Sequence, residues 1–164
     1  MRIELTRAKE RDIPFIMACE RRPGYHGLVG CWPEEQHTAT MHDGDFTYLL
    51  GVADRSPRGF VILRDRFLGF PNLYLKRIAV HEAGMGFGKP FLAAVMKWVF
   101  NRTDTHRFWL EVVETNTRAA HVYRSLGWTQ EGKVREAFVE PDGTRGSYLQ
   151  MSILRPEWEA RRET

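Results

Sequence analysis

Cysteine is scarce in this chain: 2 residues in 164, too few for a disulfide framework. Cys19 and Cys31 show neither CxxC nor Cys/His spacing, and the six histidines do not fall at ligand intervals, so no metal is expected. Apolar runs are short. None approaches the ~20 residues of a membrane span, and no signal-peptide hydrophobic region lies near Met1. A reduced cytosol is the expected location, with no membrane partner. Charge of one sign is also lacking: 24 Lys and Arg stand against 21 Asp and Glu, a net +3. Nucleic-acid binding usually requires a concentrated basic stripe, and here the basic residues are scattered. Repeats, low-complexity tracts and linkers are absent too. A single domain over residues 1–164, monomeric or homodimeric, is the simplest expectation.

What is present divides into two halves. Residues 2–6 alternate as a strand, and Ile13, Ile16 and Met17 give helical spacing over about 12–19. Residues 20–32 hold Pro, three Gly and two aromatics, and read as a loop. Pro33 suits the first turn of a short helix over 33–42. Strands are predicted at about 45–53 and 58–64. The second half reads strand 73–80, helix 86–100, strand 107–113, helix 117–126, then strands 128–139 and 145–154 around the turn Pro141-Asp142-Gly143. This order describes an α+β (mixed α/β) domain with one twisted sheet. Strands 73–80 and 107–113 should be parallel if adjacent, because a helix separates them. That helix is apolar on a wide face of Phe91, Leu92, Val95, Met96, Val99 and Phe100, which suits burial against a sheet.

Between strand 73–80 and its helix lies Gly84-Met85-Gly86-Phe87-Gly88-Lys89. Glycines let the backbone turn tightly and approach a ligand, and the helix start offers unpaired N–H groups to an anion. Lys89 could add a charge, and Pro90 is tolerable only in a first turn. A P-loop fits poorly, since Ala83 and Pro90 stand where it needs glycine and a hydroxyl. A dinucleotide fingerprint fits poorly as well, because its third glycine comes one residue early. A ligand-free tight connection stays open for the loop alone. Downstream, Glu111 and Tyr123 can perform proton chemistry. Glu111 shares a strand face with Trp109 and Val113, where burial would raise its pKa; pairing with a nearby Arg or Lys is the alternative. Tyr123 is either a proton donor or an amphipathic core tyrosine. Asn116 suits the N-cap of helix 117–126.

Together with Trp109-Leu-Glu111-Val, Asn116-x-Arg118-Ala119 and Val122-Tyr123-x-x-Leu126-Gly127-Trp128, the loop resembles the GNAT superfamily of N-acetyltransferases. The pattern Arg/Gln-x-x-Gly-x-Gly/Ala of that family falls on residues 83–88, with Ala83 in the first position. Glu131-Gly132, Asp142-Gly143 and the run from Met151 to Trp158 resemble the C-terminal hairpin of its ribosomal-protein N-terminal acetyltransferase (RimJ/RimL-like) branch. The resemblance implies a central mixed sheet of about seven strands flanked by about four helices. It implies transfer of an acetyl group from acetyl-CoA, as cosubstrate, to a primary amine in a ternary complex. The acceptor would be a small molecule or a peptide. Glu111 would act as water-mediated base and Tyr123 as acid. Strand 73–80 would splay and offer Ile78, Ala79 and Val80 to the pantetheine amides. Gly84, Met85, Gly86, Phe87, Gly88 and Lys89 would hold the pyrophosphate. Asn116, Ala119, Tyr123 and Arg124 complete the implied cofactor contacts, with an exposed helix arginine the alternative for Arg124. Residues 20–32 with Tyr25, His26 and Trp32 resemble a substrate lid in position. Glu20, Glu34 and Glu35 could attract a cation, and a solvated acidic helix explains them equally well; His26 and His37 could line a substrate pocket, while His81, His106 and His121 read as surface residues. The rival function is a CoA- or nucleotide-binding regulatory module without turnover.

Overall fold

The computed structural model describes residues 1–65, 69–140 and 142–162. Seven strands form one sheet in the order β1-β2-β3-β4-β5-β7-β6. They are β1 (Glu4–Arg7), β2 (Phe46–Ala53), β3 (Ser56–Asp65), β4 (Asn72–Val80), β5 (Arg107–Val113), β6 (Thr129–Val139) and β7 (Arg145–Leu154). Every neighbouring pair is antiparallel except β4 and β5, which are parallel as their intervening helix requires. The helices are α1 (Ile13–Glu20), α2 (Glu34–Met41), α3 (Gly88–Arg102), α4 (Thr117–Ser125) and α5 (Arg155–Arg162). A single 3₁₀ turn, Glu10–Asp12, leads into α1. Pro141, expected to open the last hairpin turn, lies outside the described residues; Asp142 there accepts from the Thr144 amide at 2.9 Å.

At its centre the sheet is buried on both faces, and the period-2 alternation of β3 shows it. Val61 and Leu63 point into one core with Leu49, Phe91, Val95 and Phe108. Phe60 and Ile62 point into the other, with Ile16, Cys19, Tyr48 and Ala79 beneath α1 and α2. All six apolar residues read as the face of α3 are buried. Gly51 makes that approach possible: a Cβ there would meet the Phe91 ring at 2.5 Å.

The last strand ends at Leu154 as expected, and beyond it the structure adds a fifth helix, α5, where about four helices were expected. It follows β7 without a break, and Trp158 turns inward to stack on Phe100, ring centroids 4.9 Å apart. Arg155 at its start donates to three carbonyls, Phe100 at 2.7 Å, Thr103 at 2.9 Å and Thr105 at 3.0 Å. These are orphan acceptors at and beyond the end of α3, so the guanidinium caps that helix from a distance.

Candidate active site

The parallel pairing of β4 with β5 is short. It covers Asn72–Tyr74 against Arg107–Trp109 and then stops, although both strands continue. A register shift in the β3–β4 ladder falls at Lys76, between the pairs Leu63 with Leu75 and Ile62 with Arg77. Such a bulge bends its strand and re-aims the residues beyond it. Past it, β4 leaves β5 and a cleft of about 630 Å³ opens between them, within the range of small-molecule sites. Ile78, Ala79 and Val80 lie on its wall. The His81 amide donates to Arg58 on β3, while the Val80 amide donates to the Tyr25 hydroxyl. Backbone direction alternates along a strand, so Ile78 and Val80 present their main-chain groups to the cleft and Ala79 turns its own to β3.

The glycine loop closes one end of this cleft. Gly84 and Gly86 hold φ of +79° and +71°, left-handed values costly for a side-chain-bearing residue. A Cβ added at Gly84, Gly86 or Gly88 would meet nothing within 4 Å, so the loop backbone is open to a ligand. No side chain caps α3, and its first turn holds no acid. An uncapped 15-residue helix behind two left-handed glycines fits a diphosphate group. Phe87 is buried beneath the loop, its ring 5.2 Å from Phe91, and anchors it to the core. Lys89 faces the cleft. Met85 does not: its side chain is 70% exposed on the outside of the loop.

Across the cleft, Asn116 caps α4 by accepting from the Ala119 amide at 3.2 Å, as its residue type predicts. The cap orients α4 so that Ala119 and Tyr123 line the cleft. Tyr123 is buried, its ring 5.5 Å from Trp128. Burial, reinforced by the phenols of Tyr25 and Tyr74, pushes its hydroxyl well above the ordinary tyrosine range. At neutral pH it therefore keeps its proton. Glu111 reaches the cleft from β5, half-buried, and accepts a hydrogen bond from the Tyr74 hydroxyl at 3.2 Å. Its hydrogen-bond partner is thus a phenol rather than the Arg or Lys weighed from sequence.

Other expected residues fall elsewhere. Arg124 donates to Gln130 on β6 at 2.7 Å and lies off the cleft wall. Arg118, in the first turn of α4, lines it instead. The run that suggested Asn116 and Ala119 already contained Arg118. His37 is fully buried rather than lining a substrate pocket; its Nε2 meets Glu20 at 3.2 Å and its Nδ1 meets Tyr48 at 3.1 Å. Glu20 is no solvated lure for a cation either. Its carboxylate, 1% exposed, pairs with Arg77 at 2.5 Å and accepts from the Trp32 amide at 3.2 Å. Arg77 then stacks on Trp32 and borders the cleft, so this network braces the 20–32 loop against β4. Tyr25, read from sequence as part of a substrate lid, lines the cleft, and Tyr148 is a further cleft residue that the sequence pattern did not place in the site. Among the described residues no group of three or more His, Cys, Asp or Glu is placed to hold a metal ion. Among them, too, no helix is long and apolar enough to cross a membrane.

Main-chain donors suited to a diphosphate, with a carboxylate and a protonated phenol further along one cleft, match acyl transfer from a coenzyme thioester to an amine. The chain belongs to the acetyltransferase (GNAT) family, whose model matches residues 13–128. It is an acyl-CoA-dependent N-acetyltransferase with acetyl-CoA as cosubstrate. Spermidine N(1)-acetyltransferase of Vibrio cholerae serotype O1 is 26% identical over 153 residues, covering 84% of this chain and 86% of that protein. Spermidine N-acetyltransferase from Vibrio cholerae in complex with CoA and spermine superposes with a TM-score of 0.83 at 20% identity, covering 96% and 98% of the two chains. The ribosomal-protein-S18-alanine N-acetyltransferase from Escherichia coli gives 0.76 at 20% identity over 93% and 94%. At such identity the structural likeness bears on the fold.

Proposed function

We propose that this chain, as one domain over residues 1–164, acetylates a small aliphatic amine of the polyamine type by direct attack within a ternary complex. The carrying observation is that Glu111 and Tyr123 border the same cleft as the splayed β4 edge and the glycine loop. Acetyl-CoA supplies the thioester, and the amides of residues 84–89 with Lys89 and Arg118 hold its phosphates. An alkylammonium has a pKa of about 10.4, so only about one molecule in a few thousand is neutral at pH 7. Glu111, through a water, takes that proton. Tyr123 returns one to the departing sulfur.

The acceptor reading rests on the far wall of the cleft. Glu111 and Glu140 there stand close enough to Tyr148 that, after burial, their charges raise its pKa. Two carboxylates among the tyrosines 74 and 148 suit an ammonium, by charge and by cation–π attraction. The named activity of the Vibrio cholerae relative points the same way. A second reading is the α-amine of a peptide, favoured by the C-terminal hairpin resembling the ribosomal-protein branch and by the likeness to the Escherichia coli enzyme.

An amine panel tests both. Free-thiol release from acetyl-CoA should be faster with spermidine or spermine than with peptides bearing a free N-terminus. Glu111→Gln should lower kcat/KM for the polyamine about 10²- to 10⁴-fold, the usual contribution of a general base. The loss should be smaller for an α-amine, whose pKa of about 7.7–8 needs less help. Release with peptides alone would favour the second reading. Acetyl-CoA binding without release for any amine would leave a regulatory binding module.

A further inference from the structure

The cleft wall carries a contact that acetyl transfer does not require. Tyr25, at the tip of the loop between α1 and α2, accepts the Val80 N–H through its hydroxyl at 3.3 Å. The two residues are 55 positions apart in sequence, so this bond joins the tip of the loop to the splayed edge of β4. Val80 N–H points into the cleft where β5 has departed, and a coenzyme arm with amide carbonyls needs such a donor. The Tyr25 ring sits under the Arg22 guanidinium at 3.8 Å, and both side chains line the cleft. Its phenol is also one of the two that raise the Tyr123 pKa, so it stands near the proposed acid.

The base of the loop is tied by side-chain bonds, and its tip is bracketed by glycines. Arg21 donates to the Trp32 carbonyl at 2.8 Å and Glu20 accepts from the Trp32 amide, which closes the base. Gly24 and Gly27 bracket Tyr25 with φ of +88° and +72°. Nothing lies within 4 Å of a Cβ added at Gly24, so the tip faces open space there.

We propose that Tyr25 is an internal competitor for the coenzyme arm: its hydroxyl occupies the main-chain donor of Val80 and must release it before acetyl-CoA seats fully. The inference rests on the acetyl-CoA site proposed above and adds a residue that sets its affinity. A state with the donor occupied lowers apparent affinity by the fraction of molecules in which the donor is free. A single neutral hydrogen bond of ordinary net strength corresponds to a factor of roughly 2 to 10.

Isothermal titration calorimetry on wild type and Tyr25→Phe tests this with two ligands. The variant loses only the hydroxyl, so the ring and its Arg22 contact stay, and a thermal melt checks that the fold is kept. Acetyl-CoA is expected to bind Tyr25→Phe roughly 2- to 10-fold more tightly. Adenosine 3′,5′-bisphosphate, which lacks the arm and does not reach Val80, should bind both proteins equally. Unchanged acetyl-CoA affinity, weaker affinity, or equal tightening of both ligands would each overturn the proposal. Failure of acetyl-CoA to bind wild type would instead strike the site itself, and this inference with it.

Discussion

Tyr123→Phe is expected to lower kcat for thiol release about 10²- to 10⁴-fold, the range for a lost general acid, while acetyl-CoA affinity holds. The substitution removes one oxygen from a buried ring. The packing of that ring against Trp128 and its place in the core remain, so the melting temperature should change little. A kcat loss with affinity intact marks an interaction made only in the transition state. Stopped-flow thiol detection with calorimetric acetyl-CoA binding measures both quantities. Equal kcat for the two proteins would remove Tyr123 from the chemistry and leave it a core residue. The raised pKa adds a sign. Burial keeps Tyr123 protonated through the neutral and mildly alkaline range, so it imposes no alkaline fall in rate there. Tyr48 is pushed up as well, to about 12, chiefly by burial. A tyrosine raised in the folded state contributes stability that is full below its unfolded value near 10 and is lost as pH rises through the folded value. Alkaline unfolding should therefore set in above pH about 10.

Local signals in the sequence reached most of the fold. The apolar stripe of α3 and the Asn116 cap each depend on residues a few positions apart, and each stands where those residues put it. The miss at α5 has a physical reason. Its residues are strongly charged, and the single inward Trp158 gives no repeating stripe. What holds the helix is a Trp158–Phe100 stack across 58 positions and the Arg155 clamp on α3, neither visible in a window. The site divides in the same way. The glycine loop and the α4 segment are contiguous, so a pattern could carry them. The Glu20–Arg77 pair and the Tyr25–Val80 bond join residues 57 and 55 apart, and only the folded chain brings them together. Arg124 shows the converse: one residue beyond Tyr123 on a helix is a turn of about 100°, which takes it away from the cleft to Gln130.

Glu20→Gln should be among the most destabilising conservative changes in this protein. Glu20 and Arg77 are 1% and 8% exposed, so the amide would leave a guanidinium buried without its counter-charge. Removing one partner of such a pair costs about 3–5 kcal/mol, against a total stability of about 5–15 kcal/mol for a domain. Desolvation by itself pushes the Glu20 carboxyl up. The hydrogen bond to His37, the charge of Arg77 and the Trp32 amide together outweigh it and hold the group below its ordinary value. A carboxylate with a depressed folded pKa contributes stability that is present above its unfolded value, near 4.5, and lost as pH falls through the folded one. The Glu20 contribution to the gap between wild type and variant in urea unfolding should thus be full above about pH 4.5 and narrow below it. A gap that persists unchanged into acid would assign the loss to shape rather than charge. The double variant Glu20→Gln with Arg77→Met separates the two further. If the stranded charge dominates, removing it restores much of the stability, because an apolar replacement of a buried pair is often neutral or better. Activity should not return with it. Arg77 and the loop that Glu20 braces both border the cleft, so the repacked protein would fold with that wall of the cleft altered.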